Sequence, residues 1–445
     1  MKPYPKYRDS GVEWIGEVPE GWGVKRMKYL TTKVGSGITP KGGASVYQNS
    51  GIALIRSQNI HFDGLRMDNV AYISEEIHAS MSASKVRPLD VLLNITGASI
   101  GRCSMVPETF MEANVNQHVC IIRPNENISS TFLHAYLSSD KGQLQIFLVE
   151  NGISREGLNF EQLKMFDVVV PPNDDQFAIS AYLDRKTAQI DDLIVKKSRS
   201  IELLKEERAA VINQAVTKGL DPSVKMKDSG VEWIGEMPDE WERIRLKWIV
   251  KEKLKYGANE YSELIDSNFP RYIRITDFDE NGLLRNDTFK SLEPNIARSY
   301  LLSDGDILFA RSGATVGKTF QFMNYEGKAC FAGYLIKASP NETMITSDFL
   351  YFYTKSSAFE NWKNSMFVLA TIQNIGADKY QNLEVPLPSV EEQIAIVRYL
   401  SQITSSVDQT IAKTENQIKL LQEYRTALIS EVVTGKVDVR REGSA

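Results

Sequence analysis

Long apolar runs are missing from this 445-residue chain. No stretch reaches the roughly 18 consecutive apolar residues that a membrane-spanning helix requires. The opening residues, MKPYPKYRDS, carry no apolar segment of the kind a secretory signal needs. Cysteine is scarce: Cys103, Cys120 and Cys330 are odd in number and far apart. That excludes a disulfide framework and a cysteine-ligated zinc finger, and it fits a reducing cytoplasm. The four histidines, His61, His78, His118 and His134, stand in no metal-ligand spacing. Positive charge is not in excess either. The net charge is −5, with Lys and Arg spread along the chain, so any grip on nucleic acid is local or shared with partner subunits.

Catalytic signatures are equally sparse. No Asn-Pro-Pro-aromatic or Asp-Pro-Pro-Tyr segment of the adenine-methylating kind is present; Pro171-Pro172-Asn173-Asp174 reverses that order and opens a helix. His-Glu-x-x-His is absent; Gly35-Ser36-Gly37 lacks the third glycine of a cofactor loop, and Gly97-Ala98-Ser99-Ile100-Gly101, which has Gly-x-Ser-x-Gly spacing, reads as a Gly-rich β-turn. An Asp…Glu-x-Lys nuclease pattern is too short to exclude.

What the chain does have is repetition. RDSGVEWIGEVPEGWGVKRMKYL at 8–30 returns at 227–249 as KDSGVEWIGEMPDEWERIRLKWI. Solenoid units repeat about every 20–50 residues, so this much longer period is that of a whole domain with its connector. Two like halves give an internal pseudo-two-fold molecule, suited to a partner with two-fold character such as duplex DNA or a pair of identical subunits. The correspondence continues. Ile55-Arg56-Ser57-Gln58-Asn59-Ile60 answers Ile273-Arg274-Ile275-Thr276-Asp277-Phe278, and Asp90-Val-Leu-Leu-Asn-Ile-Thr-Gly97 answers Asp306-Ile-Leu-Phe-Ala-Arg-Ser-Gly313. Phe132-Leu133 with Tyr136 answers Phe349-Leu350 with Tyr353. Between these anchors the loops diverge: GSGITPKGGASVYQNSGI at 35–52 shares little with KLKYGANEYSELIDSNF at 253–269. A common scaffold reading two targets produces this pattern, and so does neutral drift of surface loops.

Each half ends in a helical segment. Asn173 or a neighbouring Asp is the expected cap of the first, which stops near Thr217-Lys218-Gly219; Ser389-Val-Glu-Glu392 has capping-box spacing for the second, and Thr434-Gly435 stops it. The first carries a heptad seam through Ile190, Ile194, Ile201, Leu204, Arg208, Val211 and Ala215, with Lys197 at a seam position. The second copies it through Val407, Ile411, Thr414, Ile418, Leu421, Arg425, Leu428 and Val432. Such a pattern predicts coiled-coil pairing. An antiparallel arrangement sets Arg208 and Arg425 at symmetry-related points. The phase slips before Ile190 and Val407, as a stutter or as a short helix joining a long one. The alternative is two unrelated helices, each packed on its own domain. A seam of about 25 residues spans roughly 38 Å, close to the 34–36 Å of one B-DNA turn.

The repeated SGVEWIGE(V/M)P…W motif, the Asp-(Val/Ile)-Leu…Gly-Ala-(Ser/Thr)-(Ile/Val)-Gly-(Arg/Lys) segment, and Pro171…Gln176 and Pro388…Glu392-Gln393 at the helix starts together resemble the DNA-specificity subunit of Type I restriction–modification systems. The resemblance runs through nearly the whole chain in both halves. It implies an α+β chain with two target recognition domains, each a mixed β-sheet with short helices, separated by a pair of long antiparallel coiled-coil helices. The expected boundaries are an arm over 1–19, recognition domains over 20–175 and 240–388, helical spacers over 176–220 and 389–436, a linker over 221–239 and a tail over 437–445. It further implies a bipartite, asymmetric target in double-stranded DNA and docking of two modification (methyltransferase) subunits, with restriction (nuclease and translocase) subunits in the full complex. S-adenosylmethionine, ATP and Mg belong, on this view, to those partners, and no cofactor to this chain.

Within that frame three matched clusters are candidate DNA contacts. Arg102 and Lys318 hold equivalent turn positions, beside Thr96 and Ser99 in one half and Arg311 and Ser312 in the other. Arg56 with Ser57, Gln58 and Asn59 matches Arg274 with Thr276 and Asp277. Thr39, Lys41 and Tyr47 lie in the loop comparable to Lys255, Tyr256 and Asn259. Arg suits guanine, Asn and Gln suit adenine, and hydroxyls and Lys suit phosphates. A solvated surface role is the plain alternative for each. Trp14/Trp22 and Trp233/Trp241 read as packing clamps. Rival functions remain open: a P-loop-like ATPase using Gly317-Lys318-Thr319, although a strand rather than a helix is expected to follow, or a spacer that binds only protein.

Overall fold

The computed structural model describes residues 2–150, 157–279, 282–368 and 374–441. Two compact units emerge: Met1–Lys197 with Asn416–Ala445, and Ser198–Glu415. The division passes through both long helices, so each unit holds part of Asn173–Lys218 and part of Val390–Val433. No helix among the described residues is long and apolar enough to cross a membrane.

In the first unit a four-stranded antiparallel sheet has the order Cys103–Met105, Val91–Asn94, Val119–Pro124, Thr31–Ser36. A second sheet sets Ile52–Ile55 between Ala113–Val115, parallel to it, and Ala71–Ile73, antiparallel. Strand periodicity of two sorts the side chains of Val91–Asn94: Val91 and Leu93 enter one core, Leu92 the other. Helix Ser130–Ser138 adds Phe132, Leu133 and Tyr136 to the first of these cores. Each such side chain, fully buried, stabilises by about 1.5–3 kcal/mol.

The second unit repeats the scheme. Its sheet order is Lys255–Tyr256, Leu335–Ala338, Asp306–Ala310, Thr319–Phe322, with Arg271–Ile273 parallel to Ala329–Phe331 beside it. Ile307 and Phe309 face one core, Leu308 and Ala310 the other. Tyr353 Oη donates to Glu384 O at 2.7 Å, as Tyr136 Oη donates to Asp167 O at 2.8 Å in the first unit.

The repeated tryptophans are structural. Trp22 Nε1 donates to Asp175 and Trp241 Nε1 to Glu392, both at 2.9 Å, in the first turns of the two long helices. Gln176 and Gln393 lock those turns in the same way: each side-chain oxygen accepts a backbone N–H, of Ser129 or Thr346, at 2.8 Å, and each amide donates to the carbonyl of Pro171 or Pro388. Trp14 and Trp233 are only partly buried.

Two expectations about the helices need correction. Asn173 is the first helical residue rather than the cap, because Pro172 precedes it and accepts the Gln176 N–H at 3.0 Å. Ser389 does cap its helix, accepting the Glu392 N–H at 3.2 Å, but the Glu392 carboxylate is taken by Trp241 instead of reaching back. Each long helix is also a single unbroken α-helix, so the phase slip is a stutter and not a join. Gly219 and Gly435 end them at φ 76° and 74°.

Ile190, Ile194, Lys197, Ile201, Leu204, Arg208 and Val211 are the sheltered positions along the seam, and Ile411, Ile418, Leu421 and Leu428 mirror them; Val407 is partly buried. The pairing is antiparallel in each unit. In the first, Asp191 meets Arg425 at 3.0 Å and Lys197 meets Gln417 at 2.7 Å. In the second, Arg208 meets Asp408 at 3.0 Å. Arg208 and Arg425 thus sit at the edge of the seam, each tied to an aspartate of the facing helix.

Candidate nucleic-acid interface

The candidate residues lie at strand ends and on the loops between them. In the first unit Arg56 follows Ile52–Ile55. Its backbone N–H is capped by Asn59 Oδ1 at 3.0 Å, and Asn59 Nδ2 donates to Arg66 O at 2.8 Å. Asn59 is 1% exposed, so this residue builds the turn and presents nothing outward. Ser57 and Gln58 stay on the surface of that turn. The Arg56 guanidinium donates to Asn69 O at 3.1 Å and lies 5.6 Å from the Tyr47 ring. Arg56 and Tyr47, distinct clusters in the sequence, are therefore neighbours.

The other first-unit candidates also converge. Asn94 donates to Ser57 O at 2.9 Å and to Ser99 Oγ at 3.1 Å. Thr96 Oγ1 is 2.6 Å from His118 Nδ1, His118 Nε2 is 2.9 Å from Gln117 Nε2, and Gln117 Oε1 accepts from Thr39. The connecting residues Asn94, Gln117 and His118 were not singled out from sequence; Gln117 and His118 are signalled only by a polar loop between two β-runs, and Asn94 only by a polar residue ending an apolar strand. Gly37 allows the approach, since a Cβ there would fall 1.6 Å from Val115 O. Lys41 and Arg102 are exposed, with no ion pair among the described residues.

In the second unit the equivalent turn is built differently. Asp277, 0% exposed, replaces Asn59; it caps the Arg274 N–H at 2.7 Å and also binds the Arg274 guanidinium at 2.8 and 3.2 Å. Arg274 further donates to Thr288 O at 3.0 Å. The hydrogen bonds to Asp277 hold its guanidinium pKa above the ordinary value, and its charge is neutralised by that carboxylate. Asp277, like Asn59, faces inward, while Thr276 is exposed.

Arg311 takes another course. It lies 5.0 Å from the ring of Tyr256, whose oxygen accepts the Ala377 N–H at 2.9 Å. Tyr256 occupies the edge strand that pairs with Leu335–Ala338 and precedes Gly257, where a Cβ would fall 2.3 Å from Ala332 O. Ser312 pairs through its backbone with Asn374. Lys255 is bound to Glu252, and Asn259 and Lys318 are exposed. Tyr334, in the place of His118, is 62% exposed and was also missed.

The turn at Gly317-Lys318 does not form a phosphate loop. Gly313–Thr315 is a single 3-10 turn, and Thr319–Phe322 is the strand expected from the sequence, so no helix N-terminus is presented there. Thr319 is 1% exposed and its hydroxyl is 2.7 Å from that of Thr354.

Comparison with known proteins accords with this geometry. The family model described as "Type I restriction modification DNA specificity domain" matches twice, over residues 19–203 and 238–420. The chain is 22% identical to the putative type I restriction enzyme MjaX specificity subunit of Methanocaldococcus jannaschii, covering 96% of each chain. It is 20% identical to the type I restriction enzyme StySPI specificity subunit of Salmonella potsdam, covering 95% of this chain and 90% of that one. A solved chain from a study of assembly and conformational transition in a type I R-M system superposes with a TM-score of 0.74 at 18% identity, covering 94% of this chain and 99% of that chain. Two copies of one framework, each ending in a long helix and each matched by the same model, place this chain in the type I restriction–modification DNA-specificity family.

Proposed function

We propose that this chain is the non-catalytic reader of a type I restriction–modification complex, each unit recognising one part of a split duplex target. The observation carrying this reading is the duplicated framework with unlike loops: the same strands, turns and tryptophans recur, while the residues at the strand ends differ between units. Exposed Lys41, Arg102 and Lys318 supply local positive charge despite the negative total, in keeping with phosphate contacts that position a duplex without reading it.

The long helices are the proposed docking surface for two modification subunits. Exposed apolar side chains recur on them: Phe177 and Leu420 in the first unit, Ile394 and Leu203 in the second, at 78%, 53%, 48% and 49% exposure. Apolar helix faces of this kind fit partner helices. S-adenosylmethionine, ATP and Mg are assigned to the modification and restriction partners, and the complex to the cytoplasm. Base methylation requires extruding a base from the stack, work left to the partner.

The test is selection from randomised duplexes by the full chain with its modification partner. Recovery of a two-part motif with a fixed gap supports the reading; recovery of no sequence preference overturns it.

A further inference from the structure

Two arginines stand apart from the other cations of the recognition loops. Arg56 and Arg311 are each partly exposed, each lies against a tyrosine ring, at 5.6 and 5.0 Å, and neither has a carboxylate in ion-pair range among the described residues. Each also has a buried Nε with no acceptor among the described residues. A guanidinium so placed is restrained in orientation by its aromatic neighbour yet keeps charge and donors for an outside acceptor. Arg271 shares the unmet Nε and lies near Phe289 and Tyr325, but it is 3% exposed and belongs to the core. Lys41, Arg102 and Lys318 are exposed without such a platform.

We propose that Arg56 on Tyr47 and Arg311 on Tyr256 are the specificity-determining cations of the two units, each pairing with the O6/N7 edge of one guanine. This rests on the DNA-reading function proposed above and refines it. The two pairs are not symmetry mates. The counterpart of Arg56 is Arg274, which Asp277 neutralises; the counterpart of Arg311 is Ile95, 5% exposed. Tyr47 comes from the loop after Thr31–Ser36, whereas Tyr256 stands on the edge strand, where the first unit has Ser36. The shared scaffold therefore holds its reading arginine in a different place in each unit, which gives one chain two dissimilar half-sites. A restrained, planar, five-donor group matches guanine's paired acceptors and so prefers one base, whereas a phosphate contact is the same for every sequence.

The experiment is motif selection and affinity measurement with the full chain and its modification partner, using Arg56→Met, Arg311→Met, Arg56→Lys, Arg311→Lys and the double variant Arg274→Met/Asp277→Asn. Asn at 277 reproduces the cap that Asn59 makes, so the double variant keeps the turn. Unchanged thermal melting of each variant confirms folding. Arg56→Met is expected to erase a guanine preference of about 10–100-fold at one position of one half-site, leaving the other half intact. Arg311→Met is expected to do the same in the other half, the two Lys variants to keep a weakened guanine preference, and the double variant to select the wild-type motif. An affinity loss in the Met variants that is uniform across all sequences marks a phosphate contact and overturns the proposal. An unchanged motif in both Met variants overturns it as well. If the wild-type chain itself selects nothing, it is the broader DNA-reading function that fails.

Discussion

One turn, occupied by Arg56 in the first unit and Arg274 in the second, differs in its capping group: an amide from Asn59 in one, a carboxylate from Asp277 in the other. Asn59 caps the backbone and leaves the arginine's charge free; Asp277 caps the same N–H and also binds the guanidinium. The fold of the turn is the same, with a short 3-10 helix in each unit. Duplication preserved the groups that the framework needs, while the charge offered to solvent changed. The change is tolerated because both inward-facing side chains make the same cap on the arginine N–H.

The largest effect that would sharpen this comparison is on the framework. Trp22→Ala and Trp241→Ala remove equivalent buried rings and equivalent hydrogen bonds, so each is expected to destabilise its own unit by about 3–5 kcal/mol. Denaturant melts read by unit-specific proteolysis check this, and unequal losses would mean that the two clamps are not equivalent. Next, Asp277→Asn strips Arg274 of its ion pair and is expected to cost about 1–3 kcal/mol in the second unit. The reverse change, Asn59→Asp, is expected to place a carboxylate on Arg56 and weaken recognition at one half-site, as measured by affinity for the selected duplex.

A pH difference should follow from another unmatched pair. His134 in the first unit stands where the second has Tyr351. Dense surroundings, though part of the ring reaches solvent, push the His134 pKa down from 6.5 to about 4. The unfolded chain therefore takes up a proton near pH 6.5, whereas the folded unit does so only near pH 4. Stability is full above that range and falls as the pH drops through it, by about 1–3 kcal/mol after screening. Urea melts at near-neutral and mildly acid pH should show this loss in the first unit, and His134→Phe should abolish it. The smallest expected effect is at the helix edges. Asp191→Asn and Asp408→Asn each break one partly exposed ion pair, with a predicted cost below about 1 kcal/mol.

Much of the framework is readable in the chain because burial is periodic. The alternation in Val91–Asn94 and Asp306–Ala310, the heptad seam and the glycine stops all follow from strand and helix geometry. The recurrence of Trp, Pro and Gln identified the joints, although only the structure shows that Glu392 serves Trp241 and not a capping box. The candidate interface was less legible. Tyr47 and Arg56 lie nine residues apart in sequence, and Tyr256 and Arg311 far more, so their pairing depends on which strands become neighbours. Whether an arginine is free or neutralised turns on one inward-facing residue, whose direction no local pattern reveals.

The most direct test of the central claim, that each unit reads its own part of the target, is exchange of residues 20–175 for the corresponding segment of a relative with a different target, followed by motif selection with the modification partner. The account predicts that one component of the motif changes to that of the donor while the other component persists. Replacement of both components, or of neither, would contradict it.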